Sequence, residues 1–294
     1  MPISTKIVGT CSEPFHCHLD RRWAMNYAAA IDDRSPILYD TRRSALPVHP
    51  LFLAHPEWES QKLLQLKLGI DPAERSRAVQ VTHHTRIFRR LRAGMDLATT
   101  ATIVGLERHR RGAWSTVQCD TVAADGELVA RTTMAALYRD VGVDGADRPA
   151  GLVLPEGLPE GLPGKDAEPF TEMLDVPSTA CHVYSECAQI WNPIHTDLAV
   201  ADAAGLPGLI LHGTATLAKA VSAITSRMTG GDPASITGIA GQFRAMVIAP
   251  TSLKLAFRGQ SKGESGARQA TFVVLTESGD QAITNGVVTF GANA

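Results

Sequence analysis

The sequence predicts an α+β protein built from two tandem units, each a set of antiparallel strands wrapped around one helix. Three observations predict it. The two halves of the 294-residue chain carry the same order of elements. A Pro- and Gly-rich stretch, "GADRPAGLVLPEGLPEGLPGKDAEP" at residues 145–169, stands between them and reads as a linker. Each half ends in two runs of alternating apolar residues joined by a Gly-containing polar turn, which is a hairpin pattern. The expected organisation is an amino-terminal unit over 1–144, the linker over 145–169 and a carboxy-terminal unit over 170–294.

Taken in order, each half opens on a helical stretch that ends in a turn, "WAMNYAAAIDDRSPILYD" and "HVYSECAQIWNPIHTD". A short stretch centred on a histidine follows, "LPVHPLFLA" around His49 and "LILHGTATLA" around His212. Strand-like runs come next, beginning "FRRLRAGMDLATTATIVG" and "FRAMVIAPTSLKLAFRG". The closing hairpins turn at Asp125-Gly126 and at Gly279-Asp280. The strongest helix signal follows His212, where Leu217, Val221, Ile224 and Met228 share one face. Gly230-Gly231 and Asp232-Pro233 stop it, because glycine accepts the left-handed cap and proline cannot extend a helix.

Composition excludes several classes. Hydrophobic content of 44% with 20% charged residues suits a globular chain with a substantial core. A net charge of -2 lacks the basic excess of a nucleic-acid binder, and 5% aromatic residues offer few platforms for stacking bases. No apolar run is long enough to span a membrane, and the first residues lack the apolar core of a secretory signal. Cys11, Cys17, Cys119, Cys181 and Cys187 are an odd number without a repeated spacing, so reduced thiols and a cytoplasmic location are expected. "CSEPFHCHLD" offers Cys11, His16, Cys17 and His18, but the spacing fits no standard zinc site; neither a metal nor a cofactor is expected. The arginines of "RIFRRLRAG" and "LERHRRGAW" read as solvated surface rather than a phosphate site.

The stretch "IWNPIHTDLAVADAAGLPGLILHGTATLAKA" resembles the signature of MaoC-like dehydratases and R-specific enoyl-CoA hydratases. Asn192, Pro193, Ile194, His195, Asp197, Gly205, Pro207, His212 and Gly213 match it in order. The first half resembles the degenerate amino-terminal unit of two-domain members. The resemblance implies a double hotdog, two curved antiparallel sheets each wrapped on a central helix. It further implies an acyl-thioester substrate, usually acyl-CoA, with water added across or removed from the 2,3 bond, and it is compatible with a homodimer. His195 would act as base or orient the water, and Asn192 would hold a neighbouring side chain or the water. The Gly213 amide at the helix start would hold the thioester oxygen, glycine letting the thioester come close, and His212 would line the site.

One position departs from the signature. The residue two before the asparagine is an aspartate in the family and Ile190 here, and isoleucine cannot move a proton. A substitute carboxylate is one reading, Glu186 one helical turn earlier being preferred to Asp197. A second is a non-catalytic acyl-CoA-binding hotdog protein. A third draws on the first half, where Asp33, Ser35, Pro36 and Leu38 align with Ile190, Asn192, Pro193 and His195. That alignment suggests joining Asp33 to His195, although equivalent positions of a repeat usually occupy separate sites.

Overall fold

The computed structural model describes residues 1–151, 169–262 and 266–291, so most of the expected linker lies outside the described residues. The chain divides into two compact units. One comprises Met1–His18, Pro56–Arg89 and the segment from Asp96; the other comprises Leu19–His55, Arg90–Met95 and the carboxy-terminal segment. Leu19–His55, with its helix α1 (Arg21–Ala30), thus belongs to the second unit although it lies in the first half of the sequence.

The first unit contains β1 (Phe15–His18), most of α2 (Ala54–Leu68), β2 (Ala78–Ile87), β3 (Asp96–His109), β4 (Gly112–Ala123) and β5 (Leu128–Arg139). Its strands pair antiparallel in the order β1-β3-β4-β5-β2. Strand β3 begins at Asp96, so the Phe88–Met95 run read as its start is outside it. The hairpin at Asp125-Gly126 forms as expected, with Gly126 at φ 83°. Leu64 and Leu68 on α2 pack against Ala101, Ile103, Val117, Cys119 and Met134 of the sheet. Each buried Leu or Ile contributes about 1.5–3 kcal/mol.

This core is not wholly apolar. Glu57 on α2 is 2% exposed and accepts a hydrogen bond from the Thr132 hydroxyl. Thr132 lies 2.8 Å from Thr85 Oγ1, which lies 3.0 Å from His83 Nε2. Burial pushes the Glu57 carboxyl up to about 8 and the His83 imidazole down to about 3. His84, its neighbour, is pushed down to about 4 by burial and by Arg86.

The second unit adds β6 (Thr171–Val176), α3 (Ala180–Ala188), α4 (Leu198–Ala203), α5 (Gly213–Thr229), β7 (Ile236–Phe243), β8 (Thr251–Lys262), β9 (Arg268–Leu275) and β10 (Gln281–Phe290). Its antiparallel order is β7-β10-β9-β8-β6. Strand β8 starts after Pro250, which has no N–H to give a ladder. Helix α5 is buried from Ala215 to Thr225, with Leu217, Val221 and Ile224 all inaccessible. Its many Ala, Ser and Thr residues let it be enclosed on every side, where bulkier ones would hold the sheet away. It stops at Gly230, whose φ of 66° is the left-handed cap. Helix α1 lies against α3: Trp23 Nε1 donates to the Cys187 carbonyl at 2.7 Å, and the Tyr27 and Tyr184 rings are 6.0 Å apart. That burial of Ala24, Tyr27 and Ala28 is why the segment joins the second unit. No helix among the described residues is long and apolar enough to cross a membrane.

Candidate active site

The signature turn is built by local rules. Helix α3 ends at Ala188, and Gln189 takes the left-handed conformation at φ 54°. Asn192 then caps a single 3₁₀ turn over Pro193–His195, its Oδ1 accepting from the Ile194 amide at 3.5 Å. Proline at the first position presets φ for that turn. Asp197 caps α4, accepting from the Ala199 amide at 2.9 Å, so its carboxylate is committed to a helix start. The result delivers the His195 ring, 9% exposed, to the start of α5.

Two imidazoles meet there. The rings of His195 and His212 are stacked with centroids 3.5 Å apart and planes 25° from parallel. His195 Nδ1 lies 2.7 Å from the Ile210 carbonyl oxygen. A carbonyl can only accept, so Nδ1 carries the hydrogen and Nε2 of the neutral ring is left with its lone pair. By the same logic His212 Nε2 donates to the Ile190 carbonyl at 3.3 Å, leaving Nδ1 as an acceptor without a partner among the described residues. Burial lowers the pKa of His195, against the opposing pull of the Ile210 carbonyl. His212 is lowered further, by burial first and then by His195. Both effects favour an uncharged pair near neutral pH.

Helix α5 begins beside this pair. Its first residue is Gly213, and a Cβ there would lie 3.0 Å from the Phe243 ring. The glycine expected to admit a thioester thus also sits tight against the Phe243 ring. Thr214 follows, half-buried, and its Oγ1 accepts a hydrogen bond from the Tyr184 hydroxyl at 3.0 Å. The Tyr184 ring stands 5.0 Å from that of His212.

The structure brings His195, His212 and Gly213 together, with Asn192 holding the turn and the Ile190 backbone bonded to His212. It does not bring Glu186 to them. Helix α3 stops before Ile190, so the two residues do not continue one helical face, and Glu186 is on the solvent side with no hydrogen bond to His195 among the described residues. The Ile190 side chain is buried, 5% exposed.

Asp33 is also remote. Ser35, two residues on, donates from its hydroxyl to the Gly231 carbonyl at 3.0 Å, beyond the far end of α5. Helix α5 has 17 residues, which at ~1.5 Å each places roughly 25 Å between its ends. Asp33 instead accepts from the Ser35 amide at 2.9 Å and interacts electrostatically with His49. The first-half turn has Leu38 where the second has His195. Pro50 follows His49, as Gly213 follows His212, and proline has no N–H to offer an anion. Two of the groups the chemistry needs are missing from that half.

Tyr184 and Thr214 escaped the sequence reading. A signal existed for the tyrosine: Tyr27 and Tyr184 each stand six residues before the aligned pair Asp33 and Ile190. Among the described residues no group of three or more His, Cys, Asp or Glu side chains is placed to hold a metal. In the first unit, Arg89 and Arg108 are paired with Asp125 and Asp147.

Comparison with known proteins agrees with this geometry. A family model described as MaoC like domain matches residues 183–282, which include the turn, the stacked histidines and α5. The Arabidopsis thaliana protein "Enoyl-CoA hydratase 2, peroxisomal" is 41% identical over 58 residues, 20% of this chain and 19% of that protein. The chain thus matches about a fifth of that relative's length. A MaoC-like dehydratase from Phytophthora capsici superposes with a TM-score of 0.77 at 18% identity, covering 98% of this chain and 99% of that one. A Mycobacterium tuberculosis protein described as a double hotdog superposes at 0.66 with 15% identity, covering 96% and 95%. The fold is a double hotdog, and residues 183–282 are similar to the MaoC like domain.

Proposed function

We propose that this chain is a hydro-lyase for acyl thioesters, acyl-CoA being the carrier suggested by the name of the Arabidopsis relative. The reaction is addition of water across the 2,3 bond of an enoyl thioester, or its reverse. The observation that carries the reading is the hydrogen bond from His195 Nδ1 to the Ile210 carbonyl, because it leaves Nε2 free to accept a proton from water. His212 fixes the plane of that ring by stacking. The Gly213 amide, at the positive end of α5, stabilises charge on the thioester oxygen, and Asn192 keeps the turn in place. Glu186 is given no catalytic part in this reading.

The test is a panel of enoyl- and 3-hydroxyacyl-CoA esters, followed by the absorbance of the conjugated thioester, with His195→Ala beside the wild type. Loss of a general base lowers kcat by about 10²–10⁴-fold. Equal turnover by the variant would remove His195 from the chemistry. A second reading, an acyl-CoA-binding protein without hydratase activity, is favoured by one observation: Ile190 puts a buried hydrocarbon where the family has its carboxylate. Tight acyl-CoA binding with no turnover of any member would establish that alternative.

A further inference from the structure

We infer that the Thr214 hydroxyl is a second donor to the thioester oxygen and that Tyr184 is the residue that positions it. The inference rests on the acyl-thioester reading above and extends it. The Thr214 side chain follows Gly213 directly at the start of α5, and it is half-buried where the eleven residues after it, Ala215 to Thr225, are buried. The Tyr184 hydroxyl donates to its oxygen at 3.0 Å. An oxygen already accepting from tyrosine points its own hydrogen elsewhere, so the threonine O–H is free to donate to a ligand. A second feature at the same helix start points to a ligand. His212 is 5% exposed, yet its Nδ1 has no hydrogen-bond partner among the described residues. Buried acceptors ordinarily have a partner, and the protein supplies none here among the described residues.

The arrangement suits a thioester oxygen that becomes negative as water adds to C3. One donor is the Gly213 amide, fixed by the helix; the other is a hydroxyl fixed by a buried tyrosine. Tyr184 is itself held by its ring contacts with His212 at 5.0 Å and with Tyr27 at 6.0 Å. The donor pair is therefore set before substrate arrives, which is what makes such groups effective.

The test uses the full-length chain with Thr214→Val, Thr214→Ser and Tyr184→Phe. Two readouts are taken: turnover of the best enoyl-CoA, and the red shift of para-dimethylaminocinnamoyl-CoA on binding, which reports polarisation of the thioester carbonyl without chemistry. Thr214→Val should lose about 10²–10³-fold in kcat and about half of the red shift while still binding the probe. Thr214→Ser should keep both, within about threefold in rate, because it keeps the hydroxyl. Tyr184→Phe should lower kcat by about tenfold with little change in KM, since it loosens the donor without removing it. Wild-type turnover with Thr214→Val unchanged in rate and shift would overturn the donor and leave the hydratase reading intact. A wild-type red shift that Thr214→Val loses, without turnover of any ester, would support the donor and sink the hydratase. Absence of a red shift in the wild type would overturn the donor outright.

Discussion

The stability of the first unit should be domed against pH, and both slopes can be worked out from three buried groups. His83 and His84 have pKa values pushed down to about 3 and about 4 from 6.5. Their folded values lie below the unfolded one, so the unfolded chain takes up protons first as pH falls. The stability they contribute is whole above 6.5 and declines from there toward the folded values. At about pH 5 each has lost about 2 kcal/mol, at about 1.4 kcal/mol per pH unit, and the two together about 4 kcal/mol. Glu57 works in the opposite sense. Its folded value of about 8 lies above 4.5, so its contribution is whole below 4.5 and is lost as pH rises through about 8. Between about pH 6.5 and about pH 9 that amounts to a further loss of about 2 kcal/mol. Between about pH 6.5 and about pH 5 Glu57 regains about 2 kcal/mol, so the net acid loss is about 1–2 kcal/mol; against a total stability of about 5–15 kcal/mol, both slopes are measurable. Urea unfolding followed by Trp58 and Trp114 fluorescence at closely spaced pH values would trace the dome. Glu57→Gln should abolish the alkaline slope and steepen the acid one, because an amide still accepts from Thr132 but does not titrate and so no longer offsets the two histidines. An alkaline slope that survives Glu57→Gln, or flat stability of that variant from about pH 7 to about pH 5, would refute the reasoning.

Two further outcomes are expected in the second unit. The acid limb of kcat/KM should fall below the ordinary imidazole range, because burial lowers His195 and its base form therefore persists to lower pH; a limb at or above that range in the pH–rate profile would contradict this. Gly213→Ala should destabilise by about 1–3 kcal/mol through overpacking on Phe243, read as a fall in thermal midpoint, and Phe243→Leu in the same chain should relieve part of that loss; no fall in the single variant would show the ring can move aside.

The turn from Asn192 to Asp197 was legible in the sequence because its forces act between near neighbours: a proline that presets φ, an asparagine that caps, an aspartate that starts the next helix. The Gly230 stop and the hairpins at Gly126 and Gly279 were legible for the same reason. Glu186 misleads at one point. Its spacing from Ile190 suits a helix, but Gln189 leaves the helical conformation between them, and nothing in glutamine itself announces a left-handed residue. Residues 19–55 mislead at another, since what assigns them to the second unit is burial against α3, a contact more than a hundred residues away along the chain.

By itself, the sequence determined the two-unit α+β plan, the signature turn and the loss of a carboxylate at position 190, each of which depends on residue type and short spacing. Only the tertiary structure decided that His195 stacks on His212, that the Ile210 carbonyl fixes its tautomer, that Asp33 stands a helix length away and that Tyr184 reaches Thr214. Hydrogen bonds and ring contacts depend on separations of a few tenths of an ångström between segments distant in the chain, and spacing along the sequence does not encode those separations.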